Sequence, residues 1–175
     1  MRGEAQLVVR PARTADVDVI RGLVDVYAPD RRLLGKATVT LFEDIQEFVV
    51  AEQRGEVVGC GALHVMWRDL AEVRTVAVRE SMLRRGVGGA IVRALIDRAK
   101  RVGASRVFCL TFEVDFFAGL GFEVIEGTPV SDSVFTELLQ SEDEGVAEFL
   151  DLERVKPNTL GNTRMLLRIS RNVVT

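Results

Sequence analysis

The chain has 175 residues, of which 47% are hydrophobic and 28% charged, and its formal net charge is −3. This composition is typical of a globular protein and excludes a broad basic surface for nucleic acid. No apolar run approaches the roughly 20 residues of a membrane-spanning helix. Cys60 and Cys109 lie far apart, so we expect two reduced thiols in the cytoplasm rather than a disulfide framework.

The first half of the chain is predicted to contain a helix and then a meander of strands. A short apolar run before Pro11 predicts a first strand, and Thr14 is the expected N-cap of a helix that extends to Tyr27. A short helix is expected around residues 41–47. Three strand-like segments follow, over residues 48–52, 57–67 and 72–78. The turn at Gly55 predicts that the first two form an antiparallel hairpin.

The second half contains the clearest helix, which begins at Gly86 and ends at Gly103 with apolar residues at helical spacing. Further short strands are predicted over residues 107–110, 122–125 and 164–169. A meander followed by strand–helix–strand indicates an α/β fold with a mixed sheet and helices on both faces. We see no repeat or linker, so we expect a single domain over residues 1–175.

A basic, glycine-rich loop lies between the strand at 72–78 and the clearest helix. Its sequence is Arg84-Arg85-Gly86-Val87-Gly88-Gly89. The first N–H groups of a helix lack internal partners, and the helix dipole is positive there. Glycines let an anion approach the backbone, so the loop predicts a phosphate or diphosphate site.

The loop has three other interpretations. A dinucleotide fingerprint would need a third glycine where the chain has Ile91, and no Lys-Ser or Lys-Thr follows as in a P-loop. A tight turn that only packs a helix on a sheet is the remaining alternative, and glycines alone do not distinguish it from a ligand site.

The residues around the loop resemble the GCN5-related N-acetyltransferase (GNAT) superfamily. The resemblance rests on Val76-Ala77-Val78, the loop 84–89, and the block Asp115-Phe116-Phe117-Ala118-Gly119-Leu120-Gly121-Phe122. It implies acetyl-CoA as co-substrate and no metal. Backbone groups of Val76, Ala77 and Val78 would hold the pantetheine arm, and the loop amides would hold the diphosphate. The strands on either side of the cofactor would splay apart.

A narrower resemblance is to the acetyltransferase domain of N-acetylglutamate synthase, carried by residues 71–78, 107–111 and 116–122. It implies acetylation of the α-amine of glutamate at the start of arginine biosynthesis. The residues it assigns to the substrate are Lys36, Arg74, Thr75, Leu110 and Thr163. The family's C-terminal arginine falls on Gly161, which leaves glutamine open as the acceptor.

The proposed base is Glu72, which would remove the ammonium proton through water. Strand alternation predicts Glu72, Arg74 and Val76 on one face, so a structural ion pair between the first two is the alternative. The superfamily's tyrosine acid is missing, because Phe116-Phe117 stands in its place. The Thr111 hydroxyl could instead hydrogen-bond the CoA sulfur, and its alternative role is to cap the next turn.

Other residues are expected to have structural roles. We predict no catalytic or metal role for His64, and we interpret Glu142-Asp143-Glu144 as a solvated acidic loop. The alternative functions are an acetyltransferase for another amine and a non-catalytic acyl-CoA sensor. By analogy with the fold, pairing through edge strands would give a homodimer.

Overall fold

The computed structural model describes residues 6–28, 37–152 and 161–170. Seven strands form one sheet: β1 (Val8–Pro11), β2 (Phe48–Gln53), β3 (Glu56–Trp67), β4 (Leu70–Val78), β5 (Arg106–Thr111), β6 (Glu123–Val124) and β7 (Thr163–Arg168). Their order is β1-β2-β3-β4-β5-β7-β6, and only the β4–β5 pair is parallel. The mixed sheet confirms the predicted α/β class.

The α-helices are α1 (Val17–Tyr27), α2 (Thr38–Glu43), α3 (Val87–Val102), α4 (Val114–Ala118), α5 (Asp132–Leu138) and α6 (Glu144–Phe149). The predicted helix around 41–47 is α2 followed by a 3₁₀ turn, Ile45–Glu47. The prediction that Thr14 caps α1 was wrong. Thr14 instead begins a 3₁₀ turn, in which the Asp16 carboxylate accepts the Arg13 N–H at 2.7 Å.

Helix α3 covers one face of the sheet. Its buried residues recur at helical spacing and include Ile91 and Leu95. Glycines in β3 allow this close packing, since a Cβ at Gly59 or Gly61 would lie 2.8 or 2.7 Å from Ile91 carbons. Gly103 ends the helix with φ of +95°, as the sequence predicted.

The opposite face of the sheet is covered by two groups of helices. Helices α1 and α2 pack against β2 and β3 around Ile20, Leu41 and Phe48. Helices α5 and α6 pack against β5 and β7, where the Phe108 and Phe149 rings meet edge to face at 4.9 Å. Between these two groups, polar side chains of β3 and β4 replace the apolar core.

Candidate active site

Strands β4 and β5 separate in the middle of the sheet. Their parallel pairing ends where Glu72 lies opposite Phe108. Beyond that point, within the described part of the chain, β4 pairs only with β3, and the last residues of β5 pair only with β7. A gap therefore opens between two neighbouring strands, which confirms the predicted splay and leaves backbone groups of both strands facing the gap.

A bulge in β4 lies beside this gap. Thr75 has a φ of +57°, and the register with β3 shifts between Cys60 and Ala62. The extra residue reverses the alternation, so the prediction that Val76 shares a face with Glu72 and Arg74 was wrong. Val76 instead packs on the α3 face, with the apolar cluster that surrounds Ile91.

The glycine-rich loop leads from the end of β4 to the N-terminus of α3. Arg84, Arg85 and Gly86 are exposed, and both Arg84 and Gly86 have positive φ, +60° and +81°. The amides of residues 87–89 begin a 16-residue helix and therefore have no carbonyl partner within it. Two arginines and the positive end of a helix dipole thus face solvent together, an arrangement that binds anions.

Two neighbours shape this loop and the strand before it. A Cβ at Gly88 would lie 3.3 Å from the Phe116 ring, so the glycine allows α4 to approach α3 closely. The Tyr27 hydroxyl donates to the Val78 carbonyl. Tyr27 of α1 thus holds one of the backbone groups that the family resemblance assigns to pantetheine.

An ionic cluster lies on the sheet face opposite α3. Glu72 is 5% exposed, and one of its oxygens lies 3.2 Å from Arg74 Nε. The two terminal nitrogens of Arg74 donate to the Asp143 carboxylate at 2.9 and 3.0 Å. His64 Nδ1 lies 2.6 Å from Glu47 Oε1, and its Nε2 lies 3.9 Å from Asp143 Oδ1.

Arg74 holds these carboxylates together. Burial alone would lower its pKa, but Glu72 and Asp143 outweigh that and raise it. Burial likewise acts to raise the pKa of Asp143, yet hydrogen bonds and charge from Arg74 bring it to about 2. The Arg74 guanidinium is therefore engaged by protein carboxylates, which a substrate carboxylate would have to displace.

Glu148 is the fourth carboxyl group at this face. It is 8% exposed, and its Oε1 is buried without a hydrogen-bond partner among the described residues. Burial, followed by the charge of Glu72, raises the pKa of Glu148 to about 7. A pKa near neutrality suits a group that exchanges protons during catalysis.

The segment that carries Asp143 and Glu148 is fastened to the sheet at two points. Arg164 of β7 donates to the carbonyls of Gly127, Glu148 and Phe149. At Gly145 a Cβ would lie 2.8 Å from the Arg74 guanidinium carbon, so only glycine allows α6 to lie this close. The prediction of a solvated acidic loop at 142–144 was therefore wrong for Asp143.

Sequence reasoning missed four members of the cluster: Glu47, His64, Asp143 and Glu148. His64 lies opposite Glu72 in the sheet, and antiparallel pairing of the predicted strands 57–67 and 72–78 is the signal that could have brought the two together. Asp143 precedes a short helix, and its carboxylate accepts the Val146 N–H at 2.9 Å. An aspartate before a helix is a local sequence signal for such an N-cap. No local pattern indicates that this cap also binds Arg74.

The remaining predicted site residues lie around the gap. Thr111 and Thr163 are opposite each other at the ends of β5 and β7, and Leu110 precedes Thr111. The Thr111 hydroxyl accepts the Glu113 N–H at 2.8 Å, which is the capping geometry weighed as its alternative. Lys36 lies outside the described residues.

The Cys60 thiol donates to the Thr75 carbonyl at 3.7 Å, beside the bulge in β4. Cys60 and Cys109 are both buried free thiols, as the sequence predicted, and burial raises the pKa of Cys60 to about 12. In the described ranges we find no group of three His, Cys, Asp or Glu side chains able to hold a metal ion. Across those ranges, too, no helix has the length and apolar content needed to cross a membrane.

Comparisons with known proteins agree with this geometry. Residues 21–122 match the model of the acetyltransferase (GNAT) family. An amino-acid acetyltransferase of Mycobacterium tuberculosis is 59% identical over 163 residues, 91% of this chain and 93% of the relative. An amino-acid acetyltransferase of Aeromonas salmonicida is 31% identical over 120 residues, which is 66% of this chain and 27% of that protein.

Solved structures share the fold. A Mycobacterium tuberculosis protein in complex with CoA and a second ligand has a TM-score of 0.91 at 58% identity, over 93% of this chain and 99% of that one. N-acetylglutamate synthase of Neisseria gonorrhoeae, complexed with CoA and N-acetyl-glutamate, has a TM-score of 0.75 at 24% identity. That match covers 96% of this chain and 36% of the synthase. By the family match and the identity to its relatives, this chain belongs to the GNAT family and is an N-acetyltransferase.

Proposed function

We propose that this chain transfers the acetyl group of acetyl-CoA to the α-amine of L-glutamate or L-glutamine, the first step of arginine biosynthesis. The observation that carries the proposal is the position of Glu72, buried where β4 and β5 part. A carboxylate at that point can meet an ammonium group beside the gap. The 59% identity to an amino-acid acetyltransferase supports an amino acid as the acceptor.

The donor would lie between the loop and the gap. The amides of residues 86–89 and the exposed Arg84 and Arg85 suit the diphosphate of CoA. The strand from Val76 to Val78, Ala77 included, lacks a β5 partner and suits the amide groups of the pantetheine arm. These assignments follow the family resemblance and the open edge of β4.

The acceptor would approach from the ionic cluster. Glu72 would orient the ammonium group and remove a proton, and the amine would then attack the thioester carbonyl. The Thr111 hydroxyl hydrogen could stabilise the departing thiolate, since the Glu113 N–H uses only the oxygen. Lys36 and Thr163 would hold the substrate carboxylates, with Thr75 and Leu110 along the pocket, while Arg74 holds Glu72.

Location and assembly are extensions of the same proposal. We place the enzyme in the cytoplasm, where two free thiols stay reduced, and we expect a homodimer built through the edge of the sheet at β1 or β6. Light scattering of the purified chain measures the oligomeric state directly.

One assay tests the function. Release of free CoA thiol from acetyl-CoA is followed with glutamate, glutamine, a polyamine and a peptide amine as acceptors. Turnover with glutamate or glutamine supports the proposal, and turnover only with the polyamine or the peptide contradicts it. CoA binding without turnover on any amine would indicate an acyl-CoA sensor.

The Lys36→Met variant refines the assignment of the acceptor. We expect a higher KM for the amino acid and an unchanged kcat, because a carboxylate contact in the ground state and the transition state contributes uniform binding. Lys100→Met, on the exposed side of α3, is the matched control. An unchanged KM for the Lys36 variant would remove Lys36 from the pocket.

A further inference from the structure

Glu148 is an unusual residue for the inside of a short helix. Its neighbours Ala147 and Phe149 are 1% and 0% exposed, and its own side chain is buried with them. Its Oε1 has no hydrogen-bond partner among the residues described, and burying such an oxygen costs stability that an apolar side chain of the same size would not. Packing alone therefore gives no reason for a glutamate here.

The charges that face Glu148 come from three elements. β4 contributes Glu72 and Arg74, and the start of α6 contributes Asp143 and Glu144. From β7, Arg164 donates to the Glu148 main-chain carbonyl at 3.4 Å.

The carboxyl groups of this cluster differ in their pairing. Glu72 and Asp143 each lie against the Arg74 guanidinium, at 3.2 and 2.9 Å. Glu148 Oε1 has no such contact, although the charge of Arg74 acts on the group from a distance and partly opposes the rise of its pKa. An ion-paired carboxylate is a weak base, whereas a buried carboxylate without a partner gains most from taking up a proton.

We propose that Glu148 is the group that takes up the proton lost by the substrate's ammonium group, with Glu72 as the carboxylate that receives the ammonium group. The inference rests on the proposed function and deepens it by separating orientation from proton uptake. Arg74 and Asp143 act as positioning residues, because their ion pair holds α6 against β4.

The proton balance is simple. An ammonium N–H bond breaks, and its proton passes through Glu72 or a water to the Glu148 carboxylate. The nitrogen lone pair forms the new C–N bond at the thioester carbonyl, and the C–S bond breaks with its electrons on sulfur. The second proton of the nitrogen goes to the thiolate, and Glu148 returns its proton to solvent.

The test compares Glu148→Gln with Glu137→Gln, the same change at an exposed position in the neighbouring helix α5. With acetyl-CoA and the preferred amino acid, we expect kcat of the Glu148 variant to fall roughly 100-fold. The wild-type rate should rise with pH through about 7, and that rise should be absent in the Glu148 variant. CoA affinity by calorimetry should be unchanged in both variants.

The outcomes separate the two proposals. If the wild type transfers acetyl groups to an amino acid but Glu148→Gln keeps its rate and pH profile, this inference is overturned while the function stands. If the wild type transfers no acetyl group to an amino acid, the proposed function itself is refuted. Should Glu148→Gln fail to fold by circular dichroism, Glu148→Asp decides: a retained pH-dependent rise supports proton uptake, and a pH-independent rate contradicts it.

Discussion

The two faces of strand β4 are built in different ways. On the α3 face, the loop 84–89, the helix and the packing of Val76 come from one continuous stretch of sequence. On the opposite face, the ionic cluster combines Glu47, His64, Glu72 and Asp143 from four separate parts of the chain. A phosphate cradle needs only local backbone geometry, whereas a set of paired charges needs the whole fold to bring it together.

The largest effect that this comparison predicts is at Glu72. Glu72→Gln keeps the shape but removes the negative charge beside the gap, so we expect kcat to fall roughly 1,000-fold. CoA affinity should not change, because the loop that we propose to bind the cofactor lies on the other face. Free CoA thiol release measures the first quantity and calorimetry the second.

Glu56→Gln provides a matched control for Glu72. Glu56 also pairs with an arginine, Arg79, at 2.9 Å, but it is exposed at a turn. The control should keep full activity. Equal activity of the two variants would mean that the Glu72 pair is structural, and a parallel loss of CoA affinity would mean that the two faces are not independent.

The second effect is a pH dependence of stability caused by Glu148. Its pKa is raised to about 7 in the folded protein, so the folded state binds more protons than the unfolded state between about 4.5 and 7. The contribution of the neutral Glu148 carboxyl group to the free energy of unfolding is therefore complete below about pH 4.5 and is lost as the pH rises through about 7. At about 1.4 kcal/mol per pKa unit, the loss is on the order of 3 kcal/mol.

Urea unfolding at several pH values measures this loss. The difference between wild type and Glu148→Gln should reveal it, because other titrating groups are common to both proteins. Glu137→Gln, at an exposed position in α5, should keep the wild-type slope. A Glu148→Gln protein whose stability falls as steeply as the wild type between pH 4.5 and 8 would show that Glu148 is not the source.

The third effect is at Asp143, which ties α6 to β4. Asparagine caps a helix as well as aspartate does, so Asp143→Asn isolates the ion pair with Arg74. We expect a loss of about 2 kcal/mol in the free energy of unfolding, less than for a fully buried pair because the Asp143 side chain is 24% exposed. Asp132→Asn, at an exposed position in the first turn of α5, should change the free energy of unfolding little. Equal losses in the two variants would show that the Asp143–Arg74 ion pair does not stabilise the fold.

The sequence predicted most of the sheet, because its signals are local. Apolar runs and the turn at Gly55 predicted β2 and β3, and helical spacing between two glycines predicted α3. The splayed pair followed from the family resemblance rather than from any spacing. The bulge at Thr75 escaped prediction, since an L-residue with φ of +57° carries no signature in composition.

The cluster opposite α3 could be predicted only in part. Glu72 and Arg74 stand two positions apart on one strand, so alternation was enough to pair them. Asp143 is 69 residues from Arg74, and its acidic neighbours made a solvated loop the natural interpretation. Only the packing of α6, which depends on a glycine opposite the guanidinium, reverses that interpretation.

The smallest effect tests the α3 face by itself. Gly86 and Gly55 have nearly the same φ, +81° and +78°, and a Cβ at either position meets nothing within 4 Å. Valine at either site therefore causes similar strain of about 1–2 kcal/mol without a clash. Only Gly86 adjoins the amides proposed to bind the diphosphate, so Gly86→Val should weaken CoA binding about tenfold in calorimetry, and Gly55→Val should leave it unchanged. Equal CoA affinities in the two variants would mean that the conformation of the loop does not matter for binding the diphosphate. That result would refute the proposal for the α3 face and would leave the proposal for the ionic cluster on the other face unaffected.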